Sequence, residues 1–151
     1  MFSVRMLSLF NVQFDQQINL AKYAAEIGCE LFVVDDGWFG ERHDDTDGLG
    51  DWYVNPKKFP NGLTPLIDAV KSYGMKFGIW VEPEMVNPPT QLFKEHPDWI
   101  YHYETRKTHL GRNQYCLNVA KPEVKQFIFD ILYINRKVFY NFITGLGVKL
   151  L

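Results

Sequence analysis

Between positions 18 and 27 apolar residues recur at helical spacing. Ile18, Ala21 and Ala25 share one line, with Leu20, Ala24 and Ile27 beside it. Asp15 is read as the cap of that helix, and Gly28 fits the position just past its end. Leu31, Phe32, Val33 and Val34 are then apolar without alternation, the pattern of a strand covered on both faces in a parallel sheet. A second helix is expected from a Thr64 cap and Pro65, with Leu66, Ile67, Val70 and Tyr73 as its buried stripe and Gly74 as its stop. Residues 76–84 read as the second strand, Phe77, Ile79 and Val81 facing one side and Gly78, Trp80 and Glu82 the other. A short helical piece should follow Thr90 as far as Glu95, then a turn over 96–99 and short strands over 100–103 and 115–119, separated by a polar loop over 104–111. Pro122 opens a last helix with Val124, Phe127, Ile128, Ile131 and Leu132 as its stripe. Helices alternating with strands predict an α/β chain with a parallel sheet and right-handed crossovers.

The strand over 31–34 stops in two carboxylates, Asp35 and Asp36, followed by Gly37, Trp38 and Phe39. Parallel α/β sheets and barrels bind ligands at the carboxyl ends of their strands. Paired carboxylates beside flat apolar rings suit a sugar, with its hydroxyl edge and C–H face. An exposed acidic turn after a buried strand explains the same residues, and the pattern alone does not separate the two. Residues 37–63 show no sustained period and form a long loop leaving that edge.

Asp44, Asp45 and Asp47 complete no metal-binding spacing, so they read as a solvated acidic loop and no metal is expected. Glu82 and Glu84, two apart on one strand face, could be a general acid and base, but the two carboxylates of a retaining glycosidase face each other across the scissile bond, about 5–5.5 Å apart, and neighbours on one strand do not, so that is the lesser reading. Arg112, within Gly111-Arg112-Asn113-Gln114, could donate to hydroxyls or hold a carboxylate, or could be an ordinary surface arginine. The histidines form no arrangement with serine or cysteine that would support nucleophilic hydrolysis.

Composition narrows the field. A formal charge of -2 without a basic stripe argues against a nucleic-acid partner. No apolar run is long enough to span a bilayer, and the first residues lack the features of a signal peptide. Cys29 and Cys116 read as small buried hydrophobes of a reducing compartment, which makes the cytoplasm the expected location. An aromatic content of 16% favours a ring-stacking surface.

Four stretches then coincide, Val34 through Gly40, Gly78 through Met85, His96-Pro97-Asp98-Trp99 and Gly111-Arg112-Asn113-Gln114. In this order they resemble the α-galactosidases of glycoside hydrolase family 36, the melibiose and raffinose hydrolases, over roughly residues 15–132. The resemblance implies a retaining hydrolase whose catalytic domain is a (β/α)8 TIM barrel, acting on α-galactosides without a cofactor and homo-oligomeric in its full-length form. It places Asp35 and Asp36 on hydroxyls of the terminal galactose, and Trp80 and Arg112 in the same pocket. The family carries a Trp-Glu motif on a strand before the first helix and its nucleophile in a Lys-Trp-Asp strand, with an acid/base aspartate on a later strand. Residues 1–11 and the closing Val148-Lys149-Leu150-Leu151 show neither motif. The expectation is therefore a partial barrel of three to four strand-helix units, since a whole one takes about 250 residues, with neither catalytic carboxylate in the chain. Residues 1–14 and 133–151 read as divergent ends around a barrel segment over 15–132. The alternative is a catalytically silent sugar-binding or assembly fragment.

Overall fold

The computed structural model describes residues 3–6, 10–102 and 111–138 of the 151. Most of the polar loop expected over 104–111, and the tail beyond 138, lie outside these residues. A three-stranded parallel sheet in the order β1-β2-β3 forms the centre, from β1 (Ser3–Met6), β2 (Leu31–Val34) and β3 (Lys76–Ile79). β2 pairs with both neighbours in register, Val34 opposite Met6 on one side and Ile79 on the other. All four β2 residues are buried, as their unbroken apolar run requires. β1 is a correction, because the sequence reading began its strands at Leu31. Its four residues, Ser3-Val4-Arg5-Met6, carry no run or alternation long enough to stand out.

Helices α1 (Phe14–Glu26) and α2 (Thr64–Ser72) connect these strands, pack on each other and rest on β2 and β3 respectively. α1 begins one residue before the expected Asp15 cap. Gln13 is the extended residue before the helix, its side chain caps nothing, and Asp15 lies in the first turn, where a carboxylate favours the positive helix end. The fully buried line of α1 is Gln17, Ala21 and Ala24, with Ile18, Leu20 and Ala25 flanking it. Ile27, expected on that stripe, is 76% exposed because the helix stops at Glu26 and the chain turns away through Gly28. In α2 the cap position belongs to Leu63 and Thr64 is already helical. Leu66, Ile67 and Val70 are buried as expected, whereas Tyr73, just past the end, is 39% exposed.

A second layer lies beyond β3. The strand expected over 76–84 ends at Ile79, and the amide of Met85 donates to the carbonyl of Glu82 at 3.2 Å, closing a turn. Glu82 and Glu84 are thus turn residues, not neighbours on a strand face. β4 (Met85–Val86) then pairs antiparallel with β5 (Tyr115–Cys116), a partnership the sequence pattern did not disclose. Of the strand expected over 100–103, Tyr103 lies outside the described residues and the rest shows an isolated bridge between Ile100 and Leu117. α3 (Gln91–Glu95) starts at Thr90, whose hydroxyl accepts from the Phe93 amide, and a 3-10 turn over Pro97–Trp99 follows. α4 (Pro122–Val138) runs beyond Leu132, with Val124 and Ile131 buried and Phe127, Ile128 and Leu132 half-buried. Val86, Leu92, Leu117 and Val124 make a small core under these elements, separate from the larger one between the parallel sheet and its two helices.

Candidate functional site

The carboxyl ends of β2 and β3 meet at Asp35 and Trp80. The ladder continues one bond past β3, the Trp80 amide donating to the Val34 carbonyl at 2.9 Å, which sets the tryptophan beside the first aspartate. Asp35 is buried, and its Oδ1 accepts the Asp36 amide at 2.8 Å, so the backbone turns at once and sends the second carboxylate elsewhere. Trp80 is 8% exposed. Phe39 and Trp52 lie 6.2 Å from its ring, centroid to centroid, and Trp38 completes the cluster from 5.2 Å off Phe39. The Trp38 indole donates to the Trp80 carbonyl at 2.8 Å.

Asp36 is held by an arginine the sequence reading did not single out. Arg42 places Nε 2.8 Å from Oδ1 and Nη2 2.6 Å from Oδ2, a parallel two-point pair, and its Nη1 donates to the Asp47 carbonyl. The guanidinium is 1% exposed and lies 5.2 Å from the ring of Phe10 and 5.8 Å from that of Phe39. Lys58 is a second buried cation. Its Nζ donates to the carbonyls of Phe10, Gly37 and Arg42 at 3.1, 2.7 and 2.7 Å, tying the segment before α1 to both sides of the acidic turn. Burial pulls the Lys58 ammonium below its ordinary range, while the charges of Asp36, Asp47 and Glu41 push it back up.

Arg112 is exposed, on backbone in the left-handed region (φ 53°), as is Asn113 after it. Two such residues in succession are held by contacts from elsewhere. Buried Asn87 donates to the Asn113 carbonyl at 2.8 Å and accepts the Leu49 amide at 2.8 Å, while the side-chain amides of Asn113 and Gln114 donate to the carbonyls of Thr46 and Asp45. Glu82 joins the two halves electrostatically. Burial raises its carboxyl above the usual range, Glu84 and Asp36 add to the rise, and Arg112 and Arg42 oppose it. Asp35 and Trp80 thus meet at the ends of β2 and β3 with Asp36 in the turn beyond, and the acidic turn carries the hydrogen bonds from the residues that follow Arg112.

The acidic loop builds turns. Asp47 Oδ1 accepts the amides of His43 and Asp44, and Asp44 Oδ1 accepts the amide and hydroxyl of Thr46. Among the described residues no group of three or more His, Cys, Asp or Glu could hold a metal ion. Cys29 is half-buried and Cys116 exposed, correcting the expectation that both are buried. Arg42 had one signal in the sequence, a lone cation between Glu41 and Asp44 six positions after the paired aspartates; Lys58 had none.

Residues 7–143 match the family described as Melibiase. The chain is 51% identical over 120 residues to an α-galactosidase of Escherichia coli, covering 80% of this chain and 17% of that protein. The crystal structure of the GH36 α-galactosidase AgaA from Geobacillus stearothermophilus superposes with a TM-score of 0.84 at 42% identity, over 91% of this chain and 19% of that one. A doubly substituted AgaA in complex with raffinose matches at a TM-score of 0.77 and 46% identity, over 82% of this chain and 17% of that one. The chain therefore spans less than a fifth of the length of these relatives.

Proposed function

Since this chain belongs to the Melibiase family, we propose that it supplies one side of the galactose pocket of a retaining α-galactosidase acting on substrates such as melibiose and raffinose. The carrying observation is the placement of Asp35, Asp36 and Trp80 at the adjoining carboxyl ends of two parallel strands. On this reading β1 to β3 and their helices are early strand-helix units of a β/α barrel. Asp36, with one lone pair on each oxygen engaged by Arg42, keeps further lone pairs for sugar hydroxyls. Such charge-assisted bonds are worth about 1.5–3 kcal/mol each. Asp35 adds a second acceptor, the edge of Trp80 forms an apolar wall for the C–H face, and Arg112 donates from the opposite loop.

Within these residues the roles are binding and orientation. The nucleophile that forms the galactosyl intermediate, and the acid/base that protonates the leaving oxygen and then activates water, belong to other strands of the barrel. The enzyme on this reading needs no cofactor, works in the cytoplasm and assembles from several copies.

The test sets residues 10–138 in place of their counterpart in the E. coli α-galactosidase and follows melibiose hydrolysis. Asp35→Asn and Asp36→Asn should each raise KM about tenfold or more, the loss of one charge-assisted bond. Unchanged kinetics in both variants would refute the pocket assignment.

A further inference from the structure

We infer that Arg42 is a positioning residue that joins Asp36 and the Arg112 loop into a single preset unit for the sugar, an inference that rests on the pocket reading above. The guanidinium donates from all three of its nitrogens. Two parallel bonds go to Asp36, and the third goes to the Asp47 carbonyl. Asp47 belongs to the turn whose Thr46 and Asp45 carbonyls receive the side chains of Asn113 and Gln114, the residues that follow Arg112. A continuous path therefore runs from the Asp36 carboxylate through Arg42 and the acidic turn to the left-handed backbone at Arg112.

Stability alone is a poor reason for this arrangement. Arg42 is buried and Asp36 half-buried, and an ion pair drawn this far out of water seldom outperforms well-packed apolar residues of the same volume, because desolvation consumes much of the attraction. Rigidity is the property that such a pair supplies, and the flanking rings of Phe10 and Phe39 leave the guanidinium plane little freedom. Lys58 reinforces it by fixing the carbonyls of Gly37 and of Arg42 itself, on either side of the turn. Lysine at position 42 would keep the charge and lose the three-way planar geometry.

The experiment is a double-mutant cycle in the transplanted E. coli enzyme, with Arg42→Lys and Arg112→Lys alone and combined. Arg42→Lys should raise KM for melibiose about tenfold with kcat nearly unchanged, since an interaction made equally in the ground and transition states is lost. In that background Arg112→Lys should add far less than it does alone, because the loop is already released. If Arg42→Lys does not fold, Asn113→Ala together with Gln114→Met replaces it, removing both side-chain bonds from the loop to the acidic turn, and must show the same non-additivity with Asp36→Asn. Strictly multiplicative KM effects, or an unchanged KM in Arg42→Lys, would overturn the inference. Should Asp36→Asn raise KM while Arg42→Lys does not, only the coupling fails; should both leave KM unchanged, the pocket reading falls with it.

Discussion

The indole nitrogen of Trp38 reaches 42 positions along the chain to the carbonyl oxygen of Trp80, at 2.8 Å, and so ties the turn after β2 to the end of β3. Both residues are buried. Trp38→Phe would keep an aromatic ring and strand that carbonyl without its donor, a cost of about 1–3 kcal/mol. Equilibrium denaturation should show a lower midpoint with an unchanged slope. A slope change would instead mean that the compactness of one of the two states had altered.

The Asp36–Arg42 pair makes a contrasting prediction for single and double replacement. Asp36→Leu leaves a buried guanidinium unpaired and should cost about 3 kcal/mol or more. Adding Arg42→Met removes the orphaned charge, so the double variant should recover most of that loss. Thermal melts of the two variants decide it, and equal destabilisation in both would contradict the account.

Glu82 predicts a pH effect. Burial first, and then Glu84, raise its folded-state pKa above the unfolded value, so the folded protein holds this proton more tightly than the unfolded chain. Its contribution to stability is fully present below the unfolded value and is lost as pH rises through the raised folded one. Glu82→Gln should flatten this part of the profile and raise the melting temperature near neutral pH relative to wild type. Parallel pH profiles for the two proteins would refute it.

Gly37 has φ of 94°, and a Cβ there would stand 2.9 Å from the Phe10 carbonyl oxygen. Gly62 has φ of 69° with open space around it. Gly62→Ala should therefore cost about 1 kcal/mol for the left-handed backbone alone. Gly37→Ala should exceed it, toward 3 kcal/mol, because backbone must also move. Comparing their denaturation midpoints tests the difference.

Much of the fold was legible wherever a period persisted. Leu31–Val34 as a doubly covered strand, the stripe of α4 and the short helical piece from Thr90 to Glu95 follow from short-range pattern and hold in three dimensions. Pattern failed where an element is too brief to show a period, as in β1 and in the β4–β5 pair, whose partners are about thirty residues apart. The site divides in the same way. Asp35, Asp36, Trp80 and Arg112 stood out by position or by motif, yet the side chains that hold them did not. Lys58 and Asn87 act through backbone carbonyls and amides far away in sequence, and Arg42 through partners five and six positions off inside an irregular loop, and such contacts leave no periodic trace.

The long connection over residues 37–63 contains no helix or strand, yet its amides are engaged like those of the core. Gly40 and Asn55 donate to the carbonyls of Tyr53 and Trp38, Leu49 to the Asn87 side chain, Lys58 to the Asn55 side chain and Phe59 to the Asn55 carbonyl. Trp38, Phe39, Leu49 and Phe59 are no more than 1% exposed. In heavy water these amides exchange only when the surrounding packing opens, so deuterium should enter this irregular stretch as slowly as it enters β2. Kinetically the loop is then part of the core, and the segment that follows the two aspartates opens with the sheet, not ahead of it.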